Sequence, residues 1–169
     1  MPSILIGGGS RSGKSRYALE LARQYGARLG FIATAQAFDD EMRDRIARHQ
    51  QERGPEFTTI EAPVHLPAAI MYASAGFDAL IVDCLTLWLS NLLLAGGHDL
   101  DQAGLELARV ASTSPVPVIL VTNEVGCGIV PENALARQFR DAAGRLNQQV
   151  AASASEVYFM AFGLPLRMR

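Results

Sequence analysis

Eight residues near the start of the chain, Gly8-Gly9-Ser10-Arg11-Ser12-Gly13-Lys14-Ser15, fit the pattern G-x-x-x-x-G-K-S/T between a predicted strand and a predicted helix. Glycines let the backbone bend until successive N–H groups point into one concavity. The helix that follows adds the positive end of its dipole, about half an elementary charge. Such a turn cradles phosphate. Lys14 would bring a slim, mobile ammonium to the β and γ phosphates, and Ser15 would bring a hydroxyl to magnesium. The plainer alternative is a glycine turn that only joins strand to helix. Fourteen of the fifteen basic residues are arginine, and Lys14 is the only lysine. A guanidinium is wider and planar, so a lysine kept at this one place argues for phosphate.

Two further groups could do chemistry. Asp83 ends the apolar run Leu80-Ile81-Val82, which brings its carboxylate out at the carboxyl edge of a sheet, where ligands of α/β folds collect. It suits either magnesium, directly or through water, or the N-cap of a helix starting near Leu85. His49 falls on a charged helix predicted from Asp39 to about Arg53. There Arg45, His49 and Arg53 recur at spacings of four beside a buried stripe of Met42 and Ile46. An imidazole between two guanidiniums is biased toward its neutral, nucleophilic form, and the arginines could neutralise a phosphate under attack. Spacing alone favours a solvated surface row, because such rows are common on exposed helices.

The elements that must position these groups read as an α/β protein. Strands are predicted at Ser3–Gly7, Leu29–Ala33, Phe57–Ile60, Ala79–Val82, Val116–Thr122, Val157–Phe162 and, after a turn at Gly163 and Pro165, Leu166–Arg169 as a final edge strand. Helices are predicted at Lys14–Tyr25, Pro63–Ser74, Leu85–Leu94, Leu100–Ala111 and Glu132–Ala152, besides the one carrying His49. Strands alternating with helices imply a largely parallel sheet with helices on its faces. At 169 residues the chain is expected to form one domain, and 49% hydrophobic against 19% charged residues gives it a full core. The net charge of −2 offers no broad positive field for nucleic acid or an anionic membrane, so any phosphate must be gripped locally. The opening MPSILIGGGS lacks a basic leader, and Asp83, Ser90 and Asn91 interrupt the most apolar run, Ala79 to Ala95, so neither export nor membrane insertion is expected and the cytoplasm is. Cys84 and Cys127 are too far apart in sequence for a zinc or redox pair and read as reduced thiols. Trp88, Leu89, Leu92 and Leu93 make an apolar stripe that suits core or a subunit interface better than a partner site.

With these blocks read, the chain resembles the bifunctional adenosylcobinamide kinase/adenosylcobinamide-phosphate guanylyltransferase family of cobalamin biosynthesis over nearly its whole length. The resemblance rests on GGSRSGKS (Gly8 to Ser15), FIATAQAFDDEMRDRIARHQQER (Phe31 to Arg53), VDCLTLWLSNLL (Val82 to Leu93), VTNEVGCGIVPE (Val121 to Glu132) and ARQFRDAAGRLNQQVA (Ala136 to Ala151). The first block is shared by many nucleotide enzymes; the other four together are specific. The resemblance implies a RecA-like P-loop fold and phosphorylation of the aminopropanol hydroxyl of adenosylcobinamide with ATP or GTP. Transfer of GMP from GTP to that phosphate would follow. It implies that His49, in RIARH, is the histidine that becomes guanylylated. Some members carry two adjacent histidines there; here Arg48 precedes a single one. It further implies that Ala33, Thr34, Ala35, Gln50, Gln51, Glu52, Arg53, Glu61 and Asp83 line the nucleotide site, and that subunits assemble as a trimer and complete one another's sites. Glycine and serine stand at Gly7 and Ser10 where the family usually has threonine and alanine, and both fit the same turn.

The loop Asn123 to Pro131 leaves the fifth strand toward the same edge. Its apolar residues suit a bulky corrinoid, and its glycines and prolines equally suit a structural loop. Two other functions compete. A different small-molecule P-loop kinase needs no histidine nucleophile, and a non-catalytic nucleotide switch would need only a partner. The chain has no Asn-Lys-x-Asp guanine motif.

Overall fold

The computed structural model describes residues 1–36 and 53–169. The strands β1 (Ser3–Gly8), β2 (Leu29–Ala33), β3 (Phe57–Glu61), β4 (Ala79–Asp83), β5 (Val118–Val121), β6 (Glu156–Ala161) and β7 (Leu164–Arg167) form one sheet in the order β3-β2-β4-β5-β1-β6-β7. β1 through β6 pair in parallel, and β7 joins β6 antiparallel at the edge. The described helices are α1 (Lys14–Ala22), α2 (Leu66–Ala73), α3 (Leu85–Ala95), α4 (Leu100–Thr113) and α5 (Ala134–Ser153). The predicted helix from Asp39, with His49, Gln50, Gln51 and Glu52, lies outside the described residues.

The pleat sends alternate side chains to opposite faces, and both faces are covered. Ile4, Ile6, Ala79, Ile81, Ile119 and Val121 pack with Ala18 and Ala22 of α1 on one side. Leu5, Leu80, Val82, Val118 and Leu120 pack on the other side with apolar residues of α2 to α5. Burial on both faces makes such strands continuous apolar runs, which is why sequence reveals them. The described helices include none long and apolar enough to cross a membrane.

Several boundaries differ by a few residues from those predicted, three of them for a clear local reason. α1 ends at Ala22 rather than Tyr25, because the amides of Gln24 and Tyr25 bond three residues back, to Leu21 and Ala22, tightening the last turn. α5 starts after Asn133, whose side chain accepts from the Ala136 N–H at 3.0 Å. The last hairpin turns at Phe162-Gly163, with φ of 54° and 79°, so Pro165 falls inside β7 opposite Met160, where an edge strand tolerates its missing N–H.

Trp88, Leu89 and Leu92 of the α3 stripe belong to the core, and Leu93 is half-buried. Trp88 is 1% exposed, and its Nε1 donates to the Val64 carbonyl at 2.7 Å. Trp88→Ala is expected to cost about 3–5 kcal/mol of stability, read from the denaturant midpoint. A loss under about 1 kcal/mol, the range of ordinary surface changes, would place the ring outside the core.

Candidate active site

Parallel pairing brings the strand ends to one edge. The register sets Glu61, Ala33, Asp83, Val121 and Ile6 side by side across β3, β2, β4, β5 and β1. Two residues past Ile6, Gly8 opens the phosphate loop. A Cβ on Gly8 would lie 2.6 Å from the Met160 carbonyl oxygen. Gly13, with φ of 96°, caps α1 where a side chain would press on Gly163. Neighbours hold the loop at both ends: the Glu124 N–H donates to the Gly8 carbonyl at 3.0 Å, and the Gly163 N–H to the Ser12 carbonyl at 3.1 Å. Between them Gly9, Ser10, Arg11 and Ser12 complete the turn, with Ser10 and Arg11 exposed.

Lys14 is 7% exposed and turns its ammonium back onto the loop, 2.5 Å from the Gly9 carbonyl and 3.4 Å from Ser12 Oγ. Burial pushes its pKa below the usual lysine value, and the nearby Asp83 carboxylate opposes that shift. A polyphosphate on the loop amides would offset the desolvation of this ammonium. Ser15 Oγ donates to Asp83 Oδ2 at 2.7 Å. The N-cap of α3 is Cys84, with no side-chain cap bond, so the Asp83 carboxylate serves the phosphate loop and not the helix. A hydroxyl and a carboxylate oxygen side by side next to Lys14 are donors of the kind magnesium takes. That ion takes one or two protein oxygens and completes its shell with phosphate and water. Among the described residues no group of three or more His, Cys, Asp or Glu stands together to hold a metal.

The other predicted residues are placed as follows. Ala33 and Ala35 are half-buried at and after the end of β2, and Glu61 is exposed at the end of β3. Arg53 is 5% exposed, with its guanidinium 3.6 Å from the centre of the Phe31 ring and Nη1 3.3 Å from Thr59 Oγ1. Burial lowers its pKa, and Asp83 again opposes. Both buried cations thus feel the Asp83 carboxylate. Thr34 is fully buried. Its hydroxyl accepts from the Cys84 N–H at 2.9 Å and donates to the Cys84 carbonyl at 2.8 Å, clamping β2 to β4 just past Asp83.

Sequence reasoning missed the polar frame behind this edge. Asn91 donates to the carbonyls of Thr34 (2.8 Å) and Pro63 (2.9 Å), Asn123 donates to Thr86 Oγ1 (2.9 Å), and Thr122 donates to Asn147 Oδ1 (2.7 Å). The available signal was a lone amide, Asn91, on an otherwise apolar helix. A buried polar group there needs partners.

Asp83→Asn keeps an oxygen able to accept from Ser15 but removes the charge. It is expected to raise the magnesium concentration for half-maximal turnover by about ten- to a hundredfold, as for loss of a metal-orienting group. Lys14 loses its one opposing carboxylate, so its pKa falls further. An unchanged magnesium titration would contradict this placement of the carboxylate.

A strand, a glycine loop and a helix bearing Lys14 and Ser15, with Asp83 two strands away, define a P-loop nucleotide-binding protein. The fold is shared with the RadB recombinase (TM-score 0.55, 15% identity, 94% of this chain and 73% of that one) and the flagellar accessory protein FlaH of Methanocaldococcus jannaschii (0.54, 15%, 94% and 70%). These likenesses concern architecture alone. Residues 4–168 match the model of the family described as cobinamide kinase / cobinamide phosphate guanyltransferase, and the chain belongs to that family. It is 42% identical over 180 residues to the bifunctional adenosylcobalamin biosynthesis protein CobU of Salmonella typhimurium, covering 98% of this chain and 99% of that protein. It is 43% identical over 166 residues to the bifunctional adenosylcobalamin biosynthesis protein CobP of Pseudomonas aeruginosa, covering 98% and 96%.

Proposed function

We propose that this protein carries out both reactions of its family within one domain spanning residues 1–169. It phosphorylates the aminopropanol hydroxyl of adenosylcobinamide with ATP or GTP, then transfers GMP from GTP to that phosphate with release of pyrophosphate. The observation that carries the reading is Lys14 on the phosphate loop beside the Ser15–Asp83 pair, in a chain of this family. One grip serves two attacks on a triphosphate. In the kinase step the alcohol attacks the γ phosphorus, and Lys14 with the amides of Gly8 to Ser15 takes up charge in a loose transition state. In the transfer step the same loop holds the β and γ phosphates as the leaving group. The imidazole of His49 then attacks the α phosphorus and gives a phosphoramidate that the cobinamide phosphate displaces.

Ser15 and Asp83 would hold magnesium, which supplies charge neutralisation between the phosphates. Ala33, Thr34, Ala35, Gln50, Gln51, Glu52, Arg53 and Glu61 belong to the nucleotide side of this reading. So do a homotrimer and a cytoplasmic location. Splitting the transfer in two spares the site from holding GTP and a phosphorylated corrinoid face to face.

The test is incubation with adenosylcobinamide, GTP and magnesium. Corrinoid phosphate should form first, then its GDP ester, with one pyrophosphate per ester. Triphosphate hydrolysis indifferent to the corrinoid would favour a switch, and phosphorylation of another alcohol without an ester would favour a plain kinase.

A further inference from the structure

One acidic side chain at the phosphate edge takes no part in the steps above. β5 lies between β4, which delivers Asp83, and β1, which delivers the phosphate loop. The residues after Val121 therefore emerge between the two groups that grip the triphosphate. Thr122 and Asn123 have their side chains engaged within the fold, on Asn147 and Thr86. Glu124 comes next. Its backbone N–H donates to the Gly8 carbonyl, and its half-buried carboxylate accepts from the Gly126 N–H at 2.5 Å. The Gly126 carbonyl accepts in turn from Arg140 of α5 at 2.7 Å. The carboxylate is thus tied to the phosphate loop through its own backbone and steadied by a turn pinned to a helix. Val125, Ile129 and Val130 follow it as exposed apolar surface, Ile129 at 97%, a face suited to a bulky acceptor.

We propose that Glu124 is a catalytic residue of the kinase reaction, the group that takes the proton of the acceptor alcohol. The proposal rests on the kinase activity put forward above. As the alcohol oxygen bonds to the γ phosphorus, the bond from that phosphorus to the β–γ bridging oxygen breaks, and its electron pair leaves with the nucleoside diphosphate. The hydroxyl proton passes to a Glu124 oxygen and from there to water. The guanylyl acceptor is an ionised phosphate with no proton to lose, so only the first reaction needs this base.

Glu124→Gln separates a base from a turn. Its amide oxygen still accepts from Gly126 and the backbone bond to Gly8 is untouched, so only basicity is removed. The kinase kcat is expected to fall about a hundredfold or more, with the nucleotide KM within about twofold. Transfer of GMP to supplied cobinamide phosphate should fall less than about threefold, since no base acts there. A kinase kcat within about threefold of the parent overturns the proposal. So does an equal loss in both reactions, which would mark Glu124 as support for the loop. Should the glutamine variant not fold, Glu124→Asp keeps the charge on a shorter stem and must show the same selective loss; an even loss overturns. A parent enzyme that phosphorylates no corrinoid alcohol would defeat the kinase assignment itself, whereas an active parent with an unaffected variant defeats only the role of Glu124.

Discussion

Lys14→Ala is expected to leave the fold standing and to lower turnover of both reactions by about a hundredfold or more, the usual cost of losing a charge partner aimed at the transition state. The side chain is buried, yet its polar contacts are all local, to Gly9 and Ser12. Truncation removes a desolvated ammonium and breaks no hydrogen bond between distant elements, while it gives up the attraction to Asp83, so the melting temperature should change little. Activity should fall because both reactions need the β and γ phosphates held, whichever phosphorus is attacked. Lys14→Arg should not restore it. The ammonium reaches the Gly9 carbonyl inside a narrow turn, and a planar fork cannot occupy that place without spreading the loop. Paired kcat and melting measurements check this. Near-normal turnover in the alanine variant would leave the phosphate loop without its proposed role.

The second large effect separates the two chemistries. His49→Ala is expected to abolish guanylyl transfer and labelling by α-labelled GTP, while kinase turnover stays measurable. Only the transfer needs a nucleophile from the protein. Loss of both activities with the fold intact, or labelling that survives, would contradict the division of roles. The pH dependence has a definite sign. A protonated ring has no lone pair to offer, so labelling should fade as pH falls below about 6, near the ordinary imidazole pKa. A profile flat from about pH 5 to 8 would mean that no such ring is involved.

Much of the fold was legible because a doubly covered parallel sheet writes itself as short apolar runs between helical stretches. Ile4 to Ile6, Leu29 to Ala33 and Ala79 to Val82 stand out for that reason, and the phosphate loop adds a spacing that few structural turns need. Asp83 was placed at the correct edge by the run before it, but its role was not. Setting the cap aside required knowing that Ser15, 68 residues away in sequence, points at it. The last turn was legible at Gly163 but its start at Phe162 was not, because a phenylalanine with positive φ is costly by itself and is sustained by the hairpin register. Thr34 carried no local signal of its task, and Asn91 only that of an amide on an apolar helix, since both act on backbone groups that only the fold brings near. Spacing favoured a solvated row for His49, and only the likeness across five blocks argues for chemistry there.

The most direct test is intact-mass measurement of the protein after incubation with GTP and magnesium and no corrinoid, followed by peptide mapping. One GMP per chain, held on His49 and released by added cobinamide phosphate, is the predicted result. An unmodified protein that nevertheless makes the GDP ester would show that transfer is direct and that the covalent route is wrong.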